Sequence, residues 1–249
     1  MRLPDYLKQT GAITDERLYR AFCAIDRASF LPEDRQEEAH RDWVIPTYQV
    51  RGRSFSTNSQ PSLIAAMIEM LRLTGSERVL EIGTGTGYCT ALLASMLDLG
   101  AVYSVDILDH LVEEARKNLS RYGITNARLK VGDGFFGWEE EAPFDAILAT
   151  VAIGDIPGPL FNQLKVGGLF VCPLYIHQGR TPVYLLERLS LLEVIGSFRI
   201  DAVFITMADH IGPEENRLQK PKTRIRFRKE TPDSPYLLST VNGGRERWF

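Results

Sequence analysis

The chain has 249 residues, 44% of them hydrophobic and 24% charged, and its 29 basic and 32 acidic side chains leave a formal net charge of −3. This is the composition of an ordinary globular α/β protein, and the near balance of charge gives no global attraction to nucleic acid or to a membrane surface. No apolar run reaches the length of a membrane span, Met1-Arg2-Leu3-Pro4-Asp5-Tyr6 lacks the apolar core of a signal peptide, and the four histidines show no metal-ligand spacing. The cysteines Cys23, Cys89 and Cys172 are dispersed and odd in number, as expected of buried free thiols in a reducing compartment. A cytoplasmic monomer with no metal, membrane or nucleic-acid partner is the expectation.

In chain order, residues 5–30 read as helical, with Asp15 capping a segment that places Leu18, Phe22 and Ile25 on one face. Residues 31–60 are polar and irregular, too long for a passive connection, and read as a functional loop or lid. Pro61 opens a helix through Ile64, Met67, Ile68 and Leu71. From Val79 strand and helix alternate, with strands expected at 79–82, 102–107, 127–131, 145–150 and 168–172 and helices at 88–98, 109–122 and 157–164. That alternation predicts a Rossmann-like, mostly parallel, doubly wound sheet with helices on both faces. Segments 183–189 and 196–207 fit an antiparallel pair at the sheet edge. Thr223 to Arg228 alternates apolar and cationic residues and reads as a late edge strand protected by its charges. The surrounding cluster of Lys220, Lys222, Arg224, Arg226 and Arg228 reads as a solvated face, with an acidic peptide as the alternative. The remainder, through Asn242-Gly243-Gly244-Arg245, reads as mobile. Three parts are expected: N-terminal helices with a substrate-side loop over 1–60, a cofactor-binding domain over 61–210, and a C-terminal extension over 211–249.

The run Val79-Leu80-Glu81-Ile82-Gly83-Thr84-Gly85-Thr86-Gly87-Tyr88 is a strand, a tight turn and a helix start. Glycines permit positive φ and close ligand approach, and the amides of the following helix point into the same crevice. Asp106 ends the second strand about twenty residues on, where it can accept from both ribose hydroxyls, with Ile107 beside it. Gly132-Asp133-Gly134 follows the third strand, with Asp133 suited to an adenine amino group and the glycines leaving room for the ring. The alternate glycines, with Glu81 two positions before them, suit a sulfonium and an ammonium better than the pyrophosphate of a nicotinamide dinucleotide. The predicted cofactor is therefore S-adenosylmethionine, with S-adenosylhomocysteine as product, held by Glu81, Gly83, Thr84, Gly85, Gly87, Asp106, Ile107, Asp133 and Gly134. The plain alternative is a structural turn followed by a solvated strand end.

A second constellation is Ser56-Thr57-Asn58-Ser59-Gln60-Pro61. Read alone, Thr57 and Ser59 are helix-capping hydroxyls. Together with the cofactor motifs, the chain from about Ile25 to Met207 resembles the protein-L-isoaspartate O-methyltransferases. Asp26-Arg27-Ala28-Ser29-Phe30-Leu31-Pro32 is similar to the family's first motif. Thr57-Asn58-Ser59-Gln60-Pro61 resembles its Thr-Ile-Ser-Gln-Pro active-site loop, with Asn58 in the apolar position. Leu80 to Tyr88, Gly132-Asp133-Gly134, Ala142-Pro143-Phe144-Asp145-Ala146-Ile147 and Gln163-Leu164-Lys165-Val166-Gly167-Gly168 resemble later motifs in order.

The resemblance implies a class I S-adenosylmethionine-dependent methyltransferase fold. It implies that Ser59 is the active-site hydroxyl with Thr57 beside it, and that Thr57, Asn58, Ser59 and Gln60 meet the substrate. It also implies protein or peptide substrates carrying L-isoaspartyl residues, with D-aspartyl as a second form, and repair through a succinimide formed from the methyl ester. A carboxylate is ionised at neutral pH, its pKa being about 4, so it needs no general base, only alignment and exclusion of water. Three other readings stand beside it. One is a related enzyme acting on ordinary aspartate of a dedicated peptide to form succinimide or isoaspartate. Another is a non-catalytic cofactor-binding module. The third is a nucleic-acid methyltransferase, for which the motif and stacking partners of a flipped base are missing.

Overall fold

The computed structural model describes residues 1–155, 157–175, 180–211, 224–234, 236–242 and 245–248. Chain contacts gather them into two units, Met1–Asp133 and Gly134–Phe249.

In the first unit, α1 (Leu3–Gln9) and α2 (Glu16–Ala24) form the N-terminal helices, and the Asp15 side chain accepts from the Arg17 amide as the expected cap of α2. Short 3-10 turns follow at Arg27–Phe30 and Glu33–Glu38. The stretch read as an irregular loop then contains a β-hairpin, β1 (Ile45–Val50) and β2 (Arg53–Asn58). Val50 pairs with Arg53 across the two-residue turn Arg51-Gly52, whose φ values of 50° and 79° are both positive. Such a turn matches the twist of a hairpin but favours Asn-Gly or Gly-Gly, so Arg51 conceals it. β2 also buries small polar groups, Ser56 and Asn58, in place of an apolar stripe.

Helix α3 (Pro61–Met70) leads to β3 (Arg78–Ile82), α4 (Tyr88–Met96), β4 (Ala101–Asp106), α5 (Asp109–Arg121) and β5 (Ala127–Val131). β3, β4 and β5 pair in parallel in that order, with Glu81 opposite Ser104 and Asp106 opposite Val131. Val79, Leu80, Glu81 and Ile82 are all buried, as in a parallel strand covered on both faces. α4 is buried almost all round, and Phe22 of α2 meets Tyr88 of α4 edge-on at 6.2 Å between ring centroids.

The second unit contains β6 (Phe144–Ala149), β7 (Ala152–Gly154), α6 (Gly158–Gln163), β8 (Leu164–Pro173), β9 (Val183–Arg188), β10 (Glu193–Ile200), β11 (Thr206–Ile211), β12 (Arg224–Arg228), β13 (Leu237–Asn242) and β14 (Arg245–Trp248). β6 and β8 are parallel, and β8, β9, β10, β12, β13 and β14 then pair antiparallel in succession. The antiparallel part is thus longer than the expected single pair. The segment predicted as one strand over 196–207 divides, because β11 leaves β10 and pairs in parallel with β7. β12 buries Ile225 and Phe227 as expected, but β10 and β13 flank it, so it is not an edge. Residues 237–242 and 245–248, read as mobile, are strands for the same reason: they continue the ladder that β12 starts. Lys220 and Lys222 lie outside the described residues. Cys89 and Cys172 are buried free thiols as expected, whereas Cys23, on the outer face of α2, is exposed.

Candidate active site

The glycine turn between β3 and α4 is set by backbone geometry. Gly83, Gly85 and Gly87 have φ of 98°, 52° and 92°, values an L side chain rarely adopts. Gly87 is constrained twice, since a Cβ there would lie 3.0 Å from Ala115 Cβ on α5. Its amide donates to the Thr84 carbonyl at 2.9 Å, and the Gly83 amide donates to Val105 at 2.9 Å. Thr86 Oγ1 donates to the Phe30 carbonyl at 2.8 Å, and Asn118 Nδ2 donates to the Thr86 carbonyl at 3.0 Å.

Glu81 lies wholly buried beneath this turn. Its Oε2 accepts from Thr90 Oγ1 at 2.5 Å and from Ser104 Oγ at 2.6 Å. Because Ser104 spends its proton there, Thr84 Oγ1, 2.6 Å away, is the donor to Ser104. Oε1 has no hydrogen-bond partner. Burial is the main influence on this carboxyl and pushes it up to about 7, against the hydroxyl donors. A buried carboxylate with a spare oxygen below the turn fits a cationic ligand head and would repel a pyrophosphate.

Asp106, at the end of β4, has two tasks. Its Oδ2 accepts from the Gly85 amide at 2.8 Å and its Oδ1 from the Leu108 amide at 3.0 Å, which leaves one further lone-pair site on each oxygen. Ile107 beside it is 52% exposed. The Gly132 amide donates to the Asp106 carbonyl at 2.9 Å, which brings Asp133 to the same end of the strands. Asp133 closes the first unit and Gly134 opens the second.

The hairpin supplies the other wall. A Cβ on Gly85 would lie 3.3 Å from Ser56 Oγ, which accepts from Thr47 Oγ1 at 2.8 Å. Tyr48 meets His110, on the first turn of α5, at 4.5 Å between ring centroids. Along β2 the side chains alternate, so buried Ser56 and Asn58 face the protein while Thr57 is half-buried on the opposite side, followed by half-buried Ser59. The capping role open to Thr57 and Ser59 is not used: the residue before α3 is Gln60, whose side chain makes no cap bond, and the Asp42 carboxylate takes the Ser62 amide at 2.8 Å. Gln60 Nε2 donates to Asp42 at 3.2 Å and to Ser62 Oγ at 3.0 Å. Asn58 Oδ1 accepts from Arg27 Nε at 2.9 Å, a physical reason for an amide at a position expected to be apolar.

A family model described as protein-L-isoaspartate(D-aspartate) O-methyltransferase matches residues 1–212. The chain belongs to this family. Among protein-L-isoaspartate O-methyltransferases, the Myxococcus xanthus protein is 44% identical over 184 residues, covering 74% of this chain and 83% of its own. The Syntrophus aciditrophicus protein is 40% identical over 174 residues, covering 70% and 77%. A solved structure of a protein-L-isoaspartate O-methyltransferase superposes with a TM-score of 0.77 at 28% identity, covering 99% of this chain and 86% of that one. A Plasmodium falciparum structure, described as a putative member in complex with S-adenosyl-L-homocysteine, has the same fold, with a TM-score of 0.70 at 22% identity over 82% and 96%. The class I methyltransferase fold that the resemblance implies, with the mostly parallel sheet read from the alternation, is therefore the fold of the chain.

Within this protein-L-isoaspartate O-methyltransferase fold, the structure brings Glu81, Gly83, Thr84, Gly85, Gly87, Asp106, Ile107 and Asp133 to one end of β3, β4 and β5. Ser56, Thr90, Ser104 and Arg27 were not singled out from the sequence. Ser104 is a buried hydroxyl inside Val102-Tyr103-Ser104-Val105, and Thr90 sits in an otherwise apolar helix. Each was visible as a polar residue where the pattern calls for an apolar one.

Proposed function

We propose that Thr57 and Ser59 present the acceptor, and that the turn from Gly83 to Gly87, Asp106, Ile107 and Asp133 holds the donor. The reaction is methyl transfer from S-adenosylmethionine to the free carboxyl of L-isoaspartyl residues in proteins or peptides, the reaction of the family to which the chain belongs. D-aspartyl residues are the second acceptor proposed. The observation that carries the assignment is the pair of half-buried hydroxyls, Thr57 and Ser59, not used to cap the helix they precede.

The cofactor, when bound, supplies a methyl group made electrophilic by a sulfonium. The protein's part is to bind, orient and exclude water. The spare lone pairs of Asp106 accept the ribose hydroxyls, Ile107 offers an apolar surface to the adenine, and Asp133 accepts from its amino group. Glu81 lowers the energy of positive charge above the turn. The hydroxyls of Thr57 and Ser59 donate to the acceptor carboxylate and fix the direction of its attacking lone pair, which needs no base because it is already ionised. Holding both partners in line removes most of the entropic barrier of a bimolecular step. Tyr48 and the hairpin around it limit water at the donor side. The methyl ester then closes to a succinimide by attack of the backbone nitrogen, which loses its proton as the ester C–O bond breaks and methanol leaves, outside the protein's own chemistry.

The test is a pair of matched peptides, one isoaspartyl and one aspartyl, incubated with methyl-labelled S-adenosylmethionine. Label on the isoaspartyl peptide is expected. Label on the aspartyl peptide alone would replace this reading with the dedicated-peptide one, and label on neither would refute it. Among the described residues no helix is long and apolar enough to cross a membrane. A monomer acting in the cytoplasm without nucleic acid completes the proposal.

A further inference from the structure

Arg27 has no role in the chemistry above, yet it is 3% exposed and directly below the acceptor loop. Its Nε donates to Asn58 Oδ1 at 2.9 Å and its Nη1 to the Arg41 carbonyl at 2.7 Å. Its Nη2 donates to the carbonyls of Trp43 at 2.8 Å, Asn58 at 3.2 Å and Ser59 at 3.2 Å. Every one of these acceptors is neutral. No acid bonds it: Asp42 holds the Ser62 amide and Gln60, Glu38 pairs with Arg35, and Asp26 caps Ala28, although the charges of Asp42 and Glu38 favour the guanidinium from a distance. The nearby Tyr88 phenol is buried and held protonated by that burial. Burial lowers the guanidinium to about 10, so it is still charged at neutral pH.

We propose that Arg27 is the positive charge by which the loop carrying Thr57 and Ser59 selects an anionic acceptor. A buried cation that no carboxylate bonds is expensive, and Asp42 and Glu38 offset only part of the cost of burying Arg27. Neutral donors could tie five oxygens together more cheaply, so scaffolding alone does not account for it. The part of its surroundings open to a ligand is the loop, whose Ser59 carbonyl it holds. An acceptor carboxylate on the Thr57 and Ser59 hydroxyls brings a further negative charge to the loop whose Asn58 and Ser59 carbonyls the guanidinium holds. The intervening backbone matters chemically. A direct guanidinium–carboxylate pair would hold the attacking lone pairs, whereas a charge one layer back attracts the carboxylate and leaves its nucleophilicity intact. Arg27 is therefore a positioning residue that acts through the loop. Asn58, bonded to its Nε, fixes the plane of the fork.

This inference rests on the acceptor role of Thr57 and Ser59, and the experiment separates the two. The affinities of an isoaspartyl peptide and of the same peptide with that carboxyl replaced by a carboxamide are measured in the presence of S-adenosylhomocysteine. The native chain is expected to prefer the carboxylate. In Arg27→Met that preference falls about tenfold, the scale of one charge several ångströms away at an effective dielectric of about 20. Arg27→Lys restores most of it, and S-adenosylhomocysteine affinity is unchanged in both. Equal weakening of the two peptides in Arg27→Met, with the preference intact, overturns the proposal and leaves a scaffold. No preference in the native chain overturns the acceptor-loop reading itself. Should Arg27→Met not fold, the native preference is measured at about 1 M salt, where exposed charges are screened and buried ones much less. A preference that survives supports Arg27, and one that vanishes assigns recognition to exposed charges and overturns it.

Discussion

Glu81→Gln is the most informative single substitution for the cofactor turn. The native carboxyl is wholly buried, and burial raises it from 4.5 to about 7. A carboxyl raised in the folded state stabilises the fold most at low pH. Between about pH 4.5 and 7 the unfolded chain has released this proton and the native chain still holds it, so raising the pH favours unfolding. Above about 7 both states are ionised and the penalty is constant. The gap between 4.5 and about 7 converts to roughly 3 kcal/mol. Glutamine keeps the shape and one acceptor oxygen for Thr90 and Ser104 but cannot ionise, so it escapes the penalty. Urea denaturation of both proteins at about pH 5 and about pH 8.5 reads the difference, provided the slope m is the same. Other titrating groups are common to both chains and cancel. The variant is expected to gain roughly 2.5 kcal/mol on the native chain across that interval, since part of the penalty is already present at about pH 5. Parallel profiles, or a native chain that gains at high pH, would refute a carboxyl whose ionisation is opposed by burial at the base of the turn.

Ser59→Ala removes one hydrogen bond to a charged acceptor, worth about 1.5–3 kcal/mol, so kcat/KM for the isoaspartyl peptide is expected to drop about tenfold to a hundredfold. Calorimetry with S-adenosylhomocysteine should find its affinity unchanged, and an equal loss there would move Ser59 off the acceptor. Asp106→Asn weakens the ribose bonds and loosens the Gly85 amide together, so cofactor Kd is expected to rise at least about tenfold; an unaltered Kd removes Asp106 from that role. Gly87→Ala combines a left-handed φ, costing about 1–2 kcal/mol, with a methyl group 3.0 Å from Ala115 Cβ. A loss of roughly 2–4 kcal/mol in chemical denaturation is expected, and a loss under about 0.5 kcal/mol would show that α4 and α5 separate easily.

The parallel strands, their helices and the cofactor turn were legible because their signals are local. Apolar runs end in Glu81 and Asp106, and three glycines stand where positive φ is needed. The hairpin was hidden because the buried residues of its second strand are Ser56 and Asn58, which no hydrophobic periodicity marks, because its first strand buries only Ile45, and because Arg51 occupies a turn position that sequence rules give to Asn or Gly. The support of Glu81 by Ser104 and Thr90 depends on strand register and a helix turn, which spacing alone does not supply. The same holds at the C-terminal end. Ile225 and Phe227 announce a strand, but only its pairing shows that β13 lies beyond it. Arg27 was visible as a motif residue, while its five neutral acceptors come from segments 14 to 32 residues away.

The double duty of Asp106 bears on the thermodynamics of ligand capture. Its two oxygens fasten Gly85 and Leu108, so the backbone of this crevice is braced by bonds internal to the chain and little of it has to freeze when a nucleoside arrives. Capture then avoids the entropy loss that a floppy glycine segment would impose. Its heat capacity change should reflect buried ligand surface rather than coupled folding.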